Sequence, residues 1–502
     1  MKLIPALSTL ALATLAVSGC KVGPNYKRPV VNTPASYRGA LAPEATASTD
    51  PNAAASAGAQ PAAVPPAAVP LGAQKWNTVF VDPVLQALIT EALKNNYDVK
   101  IAADRVLQEQ AAVGVTRANQ MPTLSGGASY DVLSLPGGLL GNSNNNSGSG
   151  SSSNNNRTNI YAGGFTASAA WNLDFWGQYS RMTEAQRAEY RASQWAQQTT
   201  YSTLIDEVVT DYYQLRSLDA QLAVTRQTID ARKQSLDLTN TLEQGGSGTL
   251  ADVRQAEELY ETAQAQVPAL EQQIEQTENN LGLLLGRNPG PILRDVTASP
   301  DILAHAAHPV DVPVGLPSEL LERRPDIRRA EELLVQANAN IGAARAQFFP
   351  SLGLTAYGGT SSSQFKKIFD SGNIFYYVAG SLSEPIFDGG KIRNNYREVQ
   401  ARHQELLDTY QQTIAGAFRD VSNALVAYNK SREYRQHQEQ LVTASTDGVR
   451  LARMRYQAGA TSYLEVLTND TTLYNAQLTL ATAQQQEAQA LVQLYNALGG
   501  GW

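Results

Sequence analysis

The sequence predicts an α+β membrane protein, in which strands supply part of a β-barrel wall and very long helices project from it. Three observations carry that expectation. One helix–strand–strand–helix unit occurs twice in tandem. Each copy holds two strand-length segments in which apolar and polar residues alternate. After each strand pair runs a proline-free stretch of more than sixty residues with helical periodicity.

Composition agrees. The 502 residues are 43% hydrophobic but only 17% charged and 7% aromatic, and Ala, Gln, Asn, Ser and Thr fill the gap. That mixture suits long helices and not a thick aromatic core. The net charge of −7 comes without any basic stripe, so nucleic-acid binding has no electrostatic footprint.

Residues 1–19 read as a signal segment. Lys2 precedes the apolar stretch Leu3 to Val17, which is too short for a bilayer core needing about 20 residues. It ends in Val17-Ser18-Gly19-Cys20, which resembles the bacterial lipobox, where the cysteine receives the lipid. Cys20 is the only cysteine, so neither an internal disulfide nor a thiolate metal cluster is available. Lys21 after it favours the outer membrane, by resemblance to lipoprotein sorting signals. Residues 20–75 read as an anchored extended segment and an Ala/Pro-rich linker containing Pro61, Pro65 and Pro66. No other apolar run approaches a membrane helix, so any crossing must use strands.

The first copy spans 76–290. Residues 82–120 carry Leu85, Leu88, Ile89, Ala92, Val99 and Ala102 at helical spacing and run to Pro122, which opens an extended segment. Residues 124–132 alternate weakly. In 160–173, Phe165, Ala167, Ala169, Trp171 and Leu173 oppose Thr166, Ser168, Ala170 and Asn172. Between them, the Gly/Asn/Ser-rich stretch 136–158 cannot bury a core and is expected to be a mobile extracellular loop. Residues 178–243 then form a long helix with a coiled-coil stripe through Leu204, Val208, Leu215, Leu218, Leu222, Ile229 and Leu236. Gly245-Gly246-Ser247-Gly248 turns the chain into a return helix over 250–285, where Pro268 is expected to introduce a kink.

After a linker over 291–315, the second copy occupies 316–502 in the same order. Pro350 ends its first helix, 351–357 and 374–383 alternate, 388–457 is the long helix, and Ala458-Gly459-Ala460-Thr461 leads into a return helix over 463–498. The copies align at an offset of 228 for Gly114 with Gly342, Arg117 with Arg345 and Pro122 with Pro350. The offset becomes 212 for Gly177 with Gly389 and Arg181 with Arg393, and 213 for Gly246 with Gly459. Four strands cannot close a barrel, and an open edge in lipid leaves backbone groups unsatisfied. Three copies would give twelve strands, although other multiples also close.

Here the chain resembles the TolC/OprM-type outer membrane efflux protein family, in its lipoprotein branch. The resemblance is carried by Val22-Gly23-Pro24-Asn25-Tyr26, by Trp76 with Phe80-Val81-Asp82-Pro83, by Pro385-Ile386-Phe387-Asp388-Gly389-Gly390, by Leu473-Tyr474-Asn475-Ala476-Gln477 and by Ala497-Leu498-Gly499-Gly500-Gly501-Trp502. It implies a homotrimer, a twelve-strand barrel in the outer membrane and a helical barrel crossing the periplasm. Its implied partners are a periplasmic adaptor protein and an inner-membrane RND-type pump. The tube would conduct passively, using no cofactor.

The resemblance also implies a gate at the helix tips, ringed by acids. The matching positions hold Glu465 and Thr468, so one acid is kept and one is replaced; Asp470 lies two residues off the pattern. Asp252 matches an acid that helps hold the tips closed, and its usual arginine partner falls at Thr461. Converging carboxylates would bind cations and oppose anions. Two rival readings fit the sequence less well. An enzyme lacks support: His305 and His308 have no accompanying ligands, and phosphate-loop and nucleophile motifs are absent. A lipid-anchored coiled-coil adhesin or envelope scaffold explains the helices but not the recurring strand pairs.

Overall fold

The computed structural model describes residues 21–31, 33–34, 37, 69–136, 157–295 and 317–500. Cys20, the signal segment, most of the Ala/Pro linker, residues 137–156 of the Gly/Asn/Ser-rich stretch, the inter-copy linker from 296 on with His305 and His308, and Trp502 lie outside the described residues. The first copy contains α1 (Trp76–Val79), α2 (Pro83–Asn95), α3 (Tyr97–Ala118), β1 (Thr123–Pro136), β2 (Arg157–Leu173), α4 (Gln178–Gln244) and α5 (Leu250–Leu284). The second contains α6 (Pro317–Arg323), α7 (Pro325–Ala346), β3 (Ser351–Thr360), β4 (Ile374–Ser383), α8 (Lys391–Gln457) and α9 (Tyr463–Ala497). The long helices α4 and α8 have 67 residues each, which at 1.5 Å per residue is about 100 Å. Among the described residues, no helix is long and apolar enough to cross a membrane.

Two details differ from the sequence reading. The helical run over 82–120 is broken at Asn96, whose Oδ1 accepts from the backbone N–H groups of Asp98 (2.7 Å) and Val99 (3.1 Å) and so starts α3 afresh. The first strand extends well beyond its weakly alternating core. Pro268 lies inside a continuous α5.

The strands form one antiparallel sheet in the order β1-β2-β3-β4. Its register aligns the alternation of all four. Leu124 lies opposite Ala169, Ala169 opposite Ala356, and Ala356 opposite Val378. Leu173, Leu352 and Leu382 make a second such row. Directly opposed residues share a face, so one face of the sheet is apolar from edge to edge. The other carries Ser125 and Ser168, whose hydroxyls hydrogen-bond at 2.7 Å, with Tyr357 and Tyr377 on the same row. Among the described residues the outer edges of β1 and β4 pair with nothing, and both faces are exposed: Leu124 on the apolar face is 82% and Tyr377 on the other 57% accessible.

The chain forms two compact units that cut across the copies, each taking parts of both. One comprises Met1–Arg28, Gln108–Tyr190 and Leu333–Leu407 and contains the sheet; the other comprises Pro29–Leu107, Arg191–Glu332 and Asp408–Trp502. In the second unit, Leu204, Val208, Leu215 and Leu218 of α4 are buried, as are Ile414 and Val421 of α8. Beyond Leu218 the stripe changes character. Thr225, Arg232 and Thr239, at steps of seven, are buried, while Leu222, Ile229 and Leu236 are only half-buried. Polar side chains therefore fill the seam towards the turn.

Candidate functional site

Two regions bear on function, one in each unit. In the first unit the sheet passes into the helices through matched junctions. Gly177 and Gly389 adopt φ of +77° and +65°, the left-handed region that other residues enter at a cost. Asp174 follows β2, and its carboxylate accepts from the N–H groups of Tyr179 (3.0 Å) and Ser180 (2.7 Å) at the start of α4. Asp388 does the same for Ile392 and Gly390 before α8, and these backbone donors hold its carboxyl below the usual range.

Aromatic side chains gather where the sheet meets Pro122 and Pro350. Trp171 donates its indole N–H to the Gln120 carbonyl (2.9 Å) and Trp176 to that of Pro350 (2.9 Å), with Trp176 stacked on Phe349 at 4.6 Å. Toward the other end of the strands stand Tyr130, Tyr161, Tyr376 and Phe165, the last stacked on Phe369. Trp171 and Tyr161 are ten residues apart on one face of β2. That is about 33 Å of strand, or about 25 Å of height at a tilt near 40°, the thickness of an apolar barrel band flanked by aromatic girdles. The N-terminal segment is fastened beside the first girdle. The N–H of Val22 donates to the Trp176 carbonyl (3.1 Å), and buried Arg181 donates to the carbonyls of Val22 and Gly23 and to Asn25 Oδ1 (2.9 Å).

In the second unit both helix hairpins turn in the same way. Gly246 and Gly459 have φ of +72° and +69°; the Ser247 N–H donates to the Leu242 carbonyl, and that of Ala460 to Arg455. This is a Schellman stop, which a Cβ at the glycine would strain. Under the second turn Ala256, Ala452, Tyr463, Val466 and Leu467 form a small core, with Leu236 and Tyr456 against it.

The acids expected at the tip occupy three different settings. Asp252 is spent locally: Thr249 and Asp252 form a reciprocal capping box at the start of α5. Glu465, in the first turn of α9, accepts from the Thr461 hydroxyl and pairs with Arg455 of α8 at 2.8 Å. Thr461 therefore serves Glu465 and not Asp252. Thr468 is exposed, its hydroxyl bonded to the Leu464 carbonyl. Asp470 faces inward, held by Arg232 of α4 at 3.1 Å and Arg453 of α8 at 3.7 Å. Arg232 also donates to the Leu259 carbonyl of α5 (2.8 Å), and its guanidinium lies over the Tyr474 ring. Ser235 and Tyr463 hydrogen-bond between α4 and α9 nearby.

Sequence reading missed Arg232, Arg453, Arg455 and Arg181. Signals existed for Arg232, a charge at a core position of the heptad stripe, and for Arg181, which the repeat matches to Arg393. Among the described residues no cluster of metal-ligating side chains occurs.

Comparison with known proteins agrees with this architecture. A model of the family described as "Outer membrane efflux protein" matches residues 88–287 and 316–500. The solvent efflux pump outer membrane protein SrpC of Pseudomonas putida is 36% identical over 428 residues, 85% of this chain and 87% of that protein. The cation efflux system protein CusC of Escherichia coli O6:H1 is 32% identical over 488 residues, 97% of each. Among solved structures, the outer-membrane channel OprN superposes with a TM-score of 0.81 at 26% identity, covering 96% of this chain and all of that one. The open state of the Neisseria gonorrhoeae MtrE outer membrane channel superposes at 0.80 with 29% identity, covering 96% and 98%.

Proposed function

The chain belongs to the outer membrane efflux protein family, and from that premise we propose that three copies close a twelve-stranded barrel continuous with a helical tube. At the coarser level the protein is the outer membrane channel component of an efflux system, and not an enzyme. The tube conducts passively: an inner-membrane RND-type pump supplies the energy, and a periplasmic adaptor links the two. One observation carries this reading. The register gathers the apolar residues of all four strands on one face, while β1 and β4 end in unpaired edges. Such a sheet suits lipid on one side and water on the other, but only once its edges are closed.

Lipidation at Cys20 fits the placement of the residues after it, since Lys21 lies against Gly177 beside the Trp176 girdle. Two acyl chains there would sit at membrane level. Fatty-acid labelling should mark the wild type but not Cys20→Ser; labelled mutant protein would refute that anchor. The helix tips, with Asp252, Glu465, Asp470, Thr461 and Thr468, form the gate. Pro122, Pro350, Gly177 and Gly389 form the junctions between sheet and tube, and the linker at 291–315 joins the copies at the belt. Cargo is set elsewhere, since relatives named for solvent and for cation efflux are comparably similar.

The test is mass and conductance. Protein extracted in detergent should have the mass of a trimer and give discrete conductance steps in a planar bilayer. A stable monomer, or a trimer that never conducts, would overturn the proposal.

A further inference from the structure

Within the sheet the chain contains one junction between its two copies, and that junction offers a template for one between subunits. Inside the chain the copies meet where β2 pairs with β3: Ala167 with Gly358, Ser168 with Tyr357, Ala169 with Ala356 and Ala170 with Thr355. The hairpin registers fix which residues are equivalent. Leu124 pairs with Ala169 and Leu352 with Leu382. With Leu124 equivalent to Leu352, Ala169 must be equivalent to Leu382. β1 therefore maps on β3 at an offset of 228, and β2 on β4 at 213.

We propose that the free edge of β4 pairs antiparallel with β1 of the next copy in the register obtained by that mapping. Leu382 then lies opposite Ala128 of the partner subunit, Ser381 opposite the partner's Ser129, and Gly380 opposite the partner's Tyr130. This rests on the barrel proposed above and adds to it a register, which closure alone does not supply.

Three features on the surface fit the assignment. The mapping keeps faces: Val378, Gly380 and Leu382 of the apolar face meet the partner's Val132, the partner's Tyr130 and the partner's Ala128, which share the face of Leu124, never the serine face. Glycine and tyrosine also meet across the proposed seam. Within the chain the Tyr130 ring lies 2.7 Å from where a Gly163 Cβ would stand, while a Cβ at Gly380 would meet nothing within 4 Å. Tyr130 thus packs on a glycine within its own hairpin, and the open space at Gly380 leaves room for the partner's Tyr130 ring. Finally, extending the register sets Ile386, fully exposed in the single chain, beside Leu124 of the partner subunit; the internal counterpart is the Leu173–Leu352 pair.

The helices repeat the argument. Arg181 packs its side chain 3.0 Å from the Cβ position of Gly342. The equivalents are Arg393, which is exposed, and Gly114, whose Cβ position is open. The same operation lays Arg393 over the partner's Gly114.

Paired cysteines test the register in the full-length chain. Three doubles are made, S381C with S129C, S381C with G127C and S381C with D131C, alongside each single. All are extracted in detergent, checked for trimers on a native gel and oxidised. Disulfides need Cα atoms within about 7 Å, which an opposed pair meets and a diagonal one does not. The S381C/S129C protein should give covalent dimers and trimers, at least about tenfold more than the other doubles. Native trimers that cross-link best in a shifted pair, or in none, overturn the register and leave the barrel standing. Failure of every variant and of the wild type to form trimers overturns both.

Discussion

Arg232 on α4 and Asp470 on α9 lie 238 residues apart in sequence and form an ion pair of 3.1 Å, with side chains only 5% and 15% exposed. Four helices meet at this carboxylate, since Arg453 approaches from α8 and Arg232 also binds α5. Removing one partner of such a pair strands a charge, whereas replacing both with apolar residues often costs little. Arg232→Ala and Asp470→Asn should therefore each destabilise by about 3–5 kcal/mol, and the double change Arg232→Met with Asp470→Leu should recover most of it. Heat denaturation of the extracted protein measures all three. A double loss equal to the sum of the two single losses would mean the pair is not coupled.

The Arg455–Glu465 pair behaves differently because it is more open, with side chains 58% and 32% exposed. Its strength is at most about 1 kcal/mol, so stability should hardly change when it is cut. The field at the tip should change. Arg455→Ala leaves Glu465 uncompensated and should raise cation preference and divalent block in single-channel recordings; Glu465→Gln should lower both. Unchanged conductance and selectivity in Glu465→Gln would remove this residue from the gate.

How much of this was legible beforehand follows from what each feature depends on. Strand faces and long helices repeat locally, so periods of two and three and a half residues exposed them, and the Phe165-to-Leu173 alternation reappears in the register. Turns were legible because Gly246 and Gly459 are required there by a positive φ. The break at Asn96 was not, because a single capping side chain ends one helix and starts another without disturbing the apolar spacing. Nor were the tip pairs, because Arg232 meets Asp470 only through tertiary packing. Asn96 and Arg324 show the limit of repeat logic. Both donate to the last carbonyl of their return helix, Leu284 at 2.9 Å and Ala497 at 3.3 Å, yet by different chemistry.

Asp206 on α4 sets a pH dependence. Burial first, and the charge of Glu207 second, push its carboxyl up to about 6, and its Oδ1 is buried without a hydrogen-bond partner among the described residues. Glu207 and Asp211 are raised as well, each chiefly by burial. The folded chain thus holds this proton more tightly than the unfolded one, so the stability that Asp206 contributes is greatest below about pH 4, falls as pH rises to about 6, and then levels. The fall should be at most about 3 kcal/mol. Asp206→Asn should flatten the profile and melt higher at pH 7.5. A mutant whose melting point tracks the wild type across pH 4–7.5 would contradict this.

Arg181 should fasten the N-terminal segment. Its guanidinium is buried and reaches the carbonyls of Val22 and Gly23, Asn25 Oδ1, and Glu184 at 3.0 Å, while Asn338 holds the Pro24 carbonyl at 3.1 Å. Gly23, at φ +109°, packs its backbone against Gly342, so the strap and the helices close on one another without side chains between them. Hydrogen bonds from a charged donor are worth about 1.5–3 kcal/mol together with the desolvation they relieve. Arg181→Ala should therefore raise the fraction of time the strap is detached by about ten- to a hundredfold. Lys21 and Lys27 make that visible as faster trypsin cleavage of the N-terminal segment in the folded, extracted protein. Arg181→Lys keeps the charge but loses the fork that reaches several acceptors at once, and should fall between. If Arg181→Ala is cut no faster than the wild type, the strap is held by Gly23, Pro24 and their helix contacts, and Arg181 only fills space beneath it.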